Sequence, residues 1–382
     1  MSEKIIYADN AATTKMSAAA KEAMLRCIDD YYGNPSSLHR AGQAALKEVQ
    51  GARETISALL GCDAKELTFT SCASEADNQA IISAAKTGAQ NGKKHIISTS
   101  FEHHAVLKTL EKLKDEGFYI TLLNVHETGV IRPEELEKAI RPDTCLVSVM
   151  YANNEIGSIQ PIEEAGRLCH EKGVLFHTDA VQAVGHIPID VKKQNIDMLS
   201  LSAHKFHGPK GIGALYAKKG ILLTSLINGG EQERGKRAGT ENVPAIAAMA
   251  AALKEECENM DENTVYVKAL RERLIFGLSQ IKGSVLNGER YDRLAGNVNF
   301  CFEQTDGEML SLLLSEKGIC ISTGSACASG SPEPSHVLMA LGRSRSIAKS
   351  AVRISLCRYN TEDEIDCIIS EVRKAVEKLR RS

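Results

Sequence analysis

The chain has 382 residues, with 46 basic residues against 49 acidic ones and 43% hydrophobic content. That length holds about two domains with a large core, and the balanced charge excludes the basic excess that a nucleic-acid or membrane surface requires. No apolar run approaches the roughly 20 residues of a membrane span, and the polar start Met1-Ser2-Glu3-Lys4 lacks the apolar core of a signal peptide, so a cytoplasmic location is expected. The 11 cysteines form no C-x-x-C pair, and Cys145 and Cys301 lie in apolar runs, as buried reduced thiols do.

Residues 7–14, Tyr-Ala-Asp-Asn-Ala-Ala-Thr-Thr, form a polar turn whose small side chains let the backbone approach another surface closely. A helical segment follows, the phrase Tyr32-Gly33-Asn34-Pro35-Ser36-Ser37 breaks it, and helical spacing resumes over 38–60. Residues 67–70 read as a short strand, after which 71–78 open a helix in which Ser74 and Asp77 fit a capping box. A strand-loop-helix start is also an anion site, because free N–H groups and the helix dipole favour a phosphate. Strands at 95–99, 121–125 and 145–150 alternate with helices, the pattern of a parallel sheet. The first leads to His103 and His104, in a place where a histidine is more often a cap or surface residue than a catalyst, although a strand end can also present a ring that titrates beside a ligand. The third runs into Tyr151-Ala152-Asn153-Asn154-Glu155-Ile156-Gly157, whose amides suit a turn.

Residues 174–179 read as a buried strand ending in Asp179, and 197–201 as the next strand, running into Ser202-Ala203-His204-Lys205-Phe206-His207-Gly208-Pro209-Lys210-Gly211. Lys205 then sits just past a strand's carboxyl end, where open α/β sheets keep their ligands. Alone, such a lysine is a solvated loop residue and such an aspartate a helix N-cap. On neighbouring strand ends they match the needs of pyridoxal phosphate chemistry: a lysine able to form a Schiff base, and a carboxylate that keeps a pyridine nitrogen protonated. The strand 213–217 closes the large domain and leads into a long polar loop, 228–242, and long loops in compact domains are usually functional or disordered.

A helical stretch over 244–280 bridges to a smaller domain of antiparallel strands, at 298–302, 318–322 and 350–356, with helices. Between them, 322–335 turns into a small-residue loop in which Cys327 has no apolar face to bury it, and exposed cysteines are uncommon without a chemical role. Arg353 is the single basic residue of the last strand, either merely exposed there or suited to bidentate capture of a carboxylate. A helix over 361–379 closes the chain.

The phrases around Asp179 and Lys205, together with Gly33-Asn34-Pro35-Ser36-Ser37, Asn153-Asn154-Glu155-Ile156-Gly157 and Gly324-Ser325-Ala326-Cys327, resemble NifS/IscS-type cysteine desulfurases of the class V aminotransferase group. The resemblance implies an α/β fold-type I architecture, with a mostly parallel seven-stranded sheet in a large domain and a small α+β C-terminal domain. The large domain would span 16–255, the small one 1–15 and 256–382. It makes Ala73, Ser74, Ser202 and His204 phosphate ligands, with Thr240 reaching the phosphate of a neighbouring subunit in a homodimer. The family usually carries Gly-Ala-Thr where this chain has Cys72-Ala73-Ser74. His103 would stack on the cofactor and shuttle protons, while His104 has no such match. Asn154 would lie near the ring oxygen and the substrate carboxylate, Gln182 would bind the ring oxygen, and Asn10 and Arg353 would receive the substrate.

The reaction so implied removes sulfur from L-cysteine, leaving L-alanine and a persulfide on Cys327. Acceptors would be iron-sulfur scaffold proteins of the NifU/IscU kind or tRNA-thiolation proteins, with Cys327 in transient contact with a cluster and no resident metal. The C-terminal tail by which some IscS-type members reach their scaffold is not expected here. Two rivals stand beside this reading: a selenocysteine lyase or other class V enzyme, which would not depend on Cys327, and a sulfur carrier without cofactor, which would not need Lys205, Asp179 and His103.

Overall fold

The computed structural model describes residues 5–323 and 333–381. In chain order β1 (Ile6–Tyr7), which pairs with the small domain, is followed by the large-domain elements α1 (Ala18–Asp30), α2 (Arg40–Leu60), β2 (Leu67–Thr70), α3 (Ala73–Gln90), β3 (His95–Thr99), α4 (His104–Asp115), β4 (Tyr119–Leu123), α5 (Pro133–Ala139), β5 (Thr144–Ser148), α6 (Ile162–Glu171), β6 (Leu175–Asp179), β7 (Met198–Ser202), β8 (Gly213–Ala217) and α7 (Val243–Glu258). Then come α8 (Met260–Ser279), β9 (Ser284–Leu286), β10 (Asn297–Phe302), α9 (Gly307–Ser315), β11 (Ile319–Cys320), β12 (Ser322–Thr323), α10 (His336–Ala340), α11 (Arg345–Lys349), β13 (Ala351–Ser355) and α12 (Glu362–Leu379).

Seven strands form one sheet in the order β2-β8-β7-β6-β5-β3-β4. Only β8 runs against its neighbours; β3, β4, β5, β6 and β7 pair in parallel. Of the inner strands, β3, β5, β7 and β8 are buried along their whole length, and β6 except at Leu175, as expected where helices cover both faces of a parallel sheet. One core cluster packs α2, α6 and α7 against the sheet, and another packs α3 and α4, through Ala76, Ala80, Ile81, Val106 and Leu110.

The second sheet has the order β12-β13-β10-β9 and is antiparallel. Its core holds Phe300, Phe302, Val352, Ile354, Leu274 and Ile368, and the chain's start belongs to it through Ile6 and Ala8. β1 pairs in parallel with β11, and the Asn10 backbone N–H donates to the Ser355 carbonyl at 3.2 Å. The chain then crosses to the large domain, where the Thr14 N–H donates to the His204 carbonyl at 2.9 Å. The N-terminal turn is therefore stitched to both sheets.

Three expectations need correction. The helix over 244–280 is two helices, α7 and α8, which meet at Asn259. The strand at 318–322 divides at Ile321, because its first half pairs with β1 and its second with β13. The Ser74–Asp77 capping box does not form: Cys72 is the N-cap and its side chain makes no capping bond, while the Glu75 carboxylate reaches back to accept the Ser71 N–H and hydroxyl at 2.8 and 2.6 Å.

Candidate active site

The carboxyl ends of β2, β3, β5, β6 and β7 all open at one edge of the large sheet, and the segments beginning there carry Ala73, His103, Asn154, Asp179 and Lys205. β6 and β7 are parallel neighbours, with Asp179 opposite Ser200. Asp179 is 5% exposed, and its Oδ1 accepts the Val181 N–H at 3.0 Å. Burial pushes its carboxyl upward, while His103, the Val181 bond and Lys205 hold it back.

Lys205 ends the short helical turn Ala203–Lys205 that follows β7. Its Nζ donates to the Ala11 and Ala12 carbonyls at 2.6 and 2.9 Å, and Gln182 Nε2 donates to the same Ala11 carbonyl at 3.0 Å. Nearby, Asn10 Nδ2 donates to the Ser355 carbonyl at 2.8 Å and the Ala11 N–H to Ser355 Oγ at 2.8 Å. A single turn thus links Lys205, Gln182 and the last strand of the small sheet.

His103 caps α4: its Nδ1 accepts the Ala105 N–H at 3.1 Å, which places the proton of the neutral ring on Nε2. Burial lowers its pKa, with Asp179 pulling the other way. A ring nitrogen of His103 and carboxylate oxygens of Asp179 and Asp77 lie within 4.8 Å of one another. The cap alternative for this residue is met, and the same ring lies beside Asp179.

At the start of α3, Ala73 is 7% exposed and no side chain caps the helix, so its first amides stand available to an anion. This loop lies hard against β8. A Cβ on Gly213 would meet the Leu201 carbonyl oxygen at 2.6 Å and the Cys72 carbonyl carbon at 2.8 Å, so the approach requires glycine. Ser202, 2% exposed, ends β7, and the His204 ring meets Thr13 Oγ1 through Nδ1 at 3.2 Å. Burial and then Lys205 hold the His204 pKa down at about 4.

Arg353 on β13 is 2% exposed, so the reading as an exposed strand residue falls away. Its Nη2 bonds Asp9 at 2.8 Å and its Nη1 donates to the Asn154 carbonyl at 3.3 Å. Its Nε is buried without a hydrogen-bond partner among the described residues. A buried orphan donor on a guanidinium is a place for a ligand's acceptor. Thr240 is exposed on the loop that follows β8. Cys327 lies outside the described residues.

Sequence reasoning missed several residues that shape this edge. Asn153 is fully buried; its Nδ2 donates to the Phe101 carbonyl at 3.1 Å and its Oδ1 accepts the Glu155 and Ile156 N–H groups at 2.9 and 3.1 Å, so it organises the turn that presents Asn154. Glu102, also buried, accepts from Thr99 Oγ1 and the Met150 N–H at 2.7 and 2.9 Å, and burial pushes its carboxyl up to about 8. Glu155 accepts from Ser335 Oγ and is pushed up to about 7 by burial. Asp77 points into the sheet edge, and its readable signal was its place among Ala73, Ala76, Ala80 and Ile81 on the apolar stripe of α3.

The donor set fits pyridoxal phosphate: a lysine and a buried carboxylate on adjacent strand ends, a neutral ring beside the carboxylate, and an uncapped helix start held close by Gly213. The comparisons with known proteins give the family. The family model for aminotransferase class-V matches residues 6–368, and the chain belongs to that family. Within it, the chain is 49% identical over 377 residues to a protein named cysteine desulfurase IscS from Methanosarcina thermophila, covering 99% of this chain and 93% of the relative. Among solved structures, a NifS-like protein superposes with a TM-score of 0.92 at 40% identity, covering 98% of this chain and all of the other. A structure titled SspA in complex with cysteine gives 0.81 at 38% identity, over 93% of this chain and all of the other. The fold is accordingly the fold-type I architecture expected from the sequence.

Proposed function

We infer that the chain is a pyridoxal phosphate-dependent cysteine desulfurase, converting L-cysteine to L-alanine and a persulfide on Cys327. The observation that carries this is the placing of Lys205 and Asp179 on adjacent parallel strand ends with His103 beside the carboxylate, in a chain 49% identical to a relative of that name. Lys205, Asp179, His103, Gln182, Asn154, Ser202, His204, Ala73 and Ser74 would hold the cofactor, with Thr240 supplied across a homodimer. When bound, the cofactor supplies an electron sink for the substrate's α-carbon.

The protein's part is positioning and proton handling. Asp179 keeps the pyridine nitrogen protonated from a site that excludes water. Arg353 offers its Nε, which has no partner among the described residues, to the substrate carboxylate, with Asn10 and Asn154 beside it. Lys205 and the Nε2 of His103 hold and move protons. The Cys327 thiolate bonds to the substrate sulfur as the carbon–sulfur bond breaks, and the carbon takes up a proton to become the methyl group of alanine.

We assign 16–255 to a cofactor-binding domain, and 1–15 with 256–382 to a smaller one that carries the cysteine loop 322–335. Sulfur would pass in the cytoplasm to an iron-sulfur scaffold of the NifU/IscU kind or to a tRNA-thiolation protein. Among the described residues no helix is long and apolar enough to cross a membrane. The test is product analysis: with L-cysteine and a thiol reductant, the purified yellow protein should release sulfide and alanine in equal amounts, and Lys205→Ala neither. Alanine and sulfide from Lys205→Ala at the wild-type rate would remove the assignment.

A further inference from the structure

A second carboxylate lies beside the first. Asp77 is 1% exposed on α3, and one of its oxygens lies within 4.8 Å of both an Asp179 oxygen and a His103 nitrogen. Its Oδ1 has no hydrogen-bond partner among the described residues, and stands 3.6 Å from the Nε2 of His177. That ring is committed elsewhere: its Nε2 meets Ser200 Oγ at 3.1 Å and its Nδ1 meets Ser148 Oγ at 2.9 Å. Burial holds the His177 pKa at about 3, so the ring brings no charge.

The titratable groups facing Asp77 are therefore Asp179 and His177 from β6, His103 from the start of α4, Glu102 from the segment before it and Cys72 from its own helix start, with the Ser200 hydroxyl on β7. Among the described residues, the groups so named for Asp77 include no lysine or arginine. Two carboxylates sharing one dry site cannot both ionise at low cost. His103, the Val181 N–H and Lys205 favour the charge of Asp179, whereas burial and then Asp179 itself drive the Asp77 carboxyl upward against the Ser200 hydroxyl.

We propose that Asp77 is a positioning residue that acts through Asp179: as the protonated member of the pair it fills the space behind the Asp179 carboxylate with a neutral hydrogen-bonding group, leaving Asp179 as the sole anion. This deepens the assignment of Asp179 to the pyridine nitrogen and rests on it. Asparagine reproduces a protonated aspartate in shape and charge, and alanine does not.

The experiment is titration of the apoprotein with pyridoxal phosphate, followed by the visible band. Asp77→Ala should raise the dissociation constant about tenfold, the effect of one lost buried polar contact, and Asp77→Asn should stay within about threefold of the wild type. An Asp77→Asn variant that weakens binding as far as Asp77→Ala would overturn the proposal, as would an Asp77→Ala variant that binds like the wild type. If Asp77→Ala does not fold, infrared difference spectra decide: the wild type minus Asp77→Asn should show the carbonyl stretch of a protonated carboxyl at neutral pH, whereas a carboxylate band there would overturn it. The infrared measurement needs no cofactor. A wild type that binds no pyridoxal phosphate would sink the cofactor assignment, a result distinct from any failure at Asp77.

Discussion

Arg353 reaches its site from the small sheet, and its guanidinium is already half committed to Asp9 and the Asn154 carbonyl. What remains for a substrate carboxylate is the geometry of the fork, since lysine would bring the charge without the planar donors. Arg353→Lys should therefore raise the KM for L-cysteine about tenfold, roughly 1.4 kcal/mol, with a smaller change in kcat. An unchanged KM would mean that the carboxylate is held elsewhere. Asp179 and Lys205 were legible because each follows a strand-like run directly. Arg353 was read only as a possibility, because its burial depends on Asp9 at the other end of the chain. Asp77 was misread because an acid in the first turn of a helix is ordinarily a capping residue; its apolar neighbours on α3 pointed the other way.

At the scale of elements, the five strand ends and the helix starts that follow them build the site, and two predictions belong here. Gly213 lets the start of α3 touch β8, and the atoms a Cβ would meet are backbone atoms that cannot swing aside. Gly213→Ala should cost about 1–3 kcal/mol of stability and weaken cofactor retention; thermal melting with and without added pyridoxal phosphate checks both, and a wild-type melting curve would contradict it. Glu102 ties the end of β3 to the end of β5, and its pKa is raised from the ordinary 4.5 to about 8. Its folded form holds a proton that the unfolded chain releases, so its contribution is complete below about pH 4.5 and is lost as the pH rises through 8. The unfolding free energy of the wild type relative to Glu102→Gln should fall across that window, by up to about 1.4 kcal/mol per pH unit. A difference independent of pH would show that Glu102 is ionised in the folded protein. The large-sheet strands, β10, β13 and the helices over 38–60 and 361–379 were legible within about two residues from periodicity and turn chemistry, whereas β1 and β9 were not read. The division of 318–322 was not, because it depends on pairing with β1 and β13, which no local pattern reveals.

For the whole molecule, the chain's start is the mechanical link. It pairs with β11, contacts β13, and lays its carbonyls on Lys205 before entering the large domain. The proposed function calls for a homodimer, and singly exposed leucines such as Leu38 and Leu222, at 93% and 73%, do not by themselves mark its surface. Sedimentation equilibrium should accordingly give twice the 41.4 kDa chain mass; a monomer at micromolar concentration would leave Thr240 without the subunit it is proposed to serve. The central claim is that sulfur leaves cysteine for Cys327. The most direct measurement compares sulfide and alanine release by the wild type and Cys327→Ala under reductant, with the cofactor's visible band recorded for both. The account predicts that the variant keeps the band and loses sulfide release. Equal release from both proteins would contradict it and point to a lyase that cleaves the bond without a cysteine acceptor.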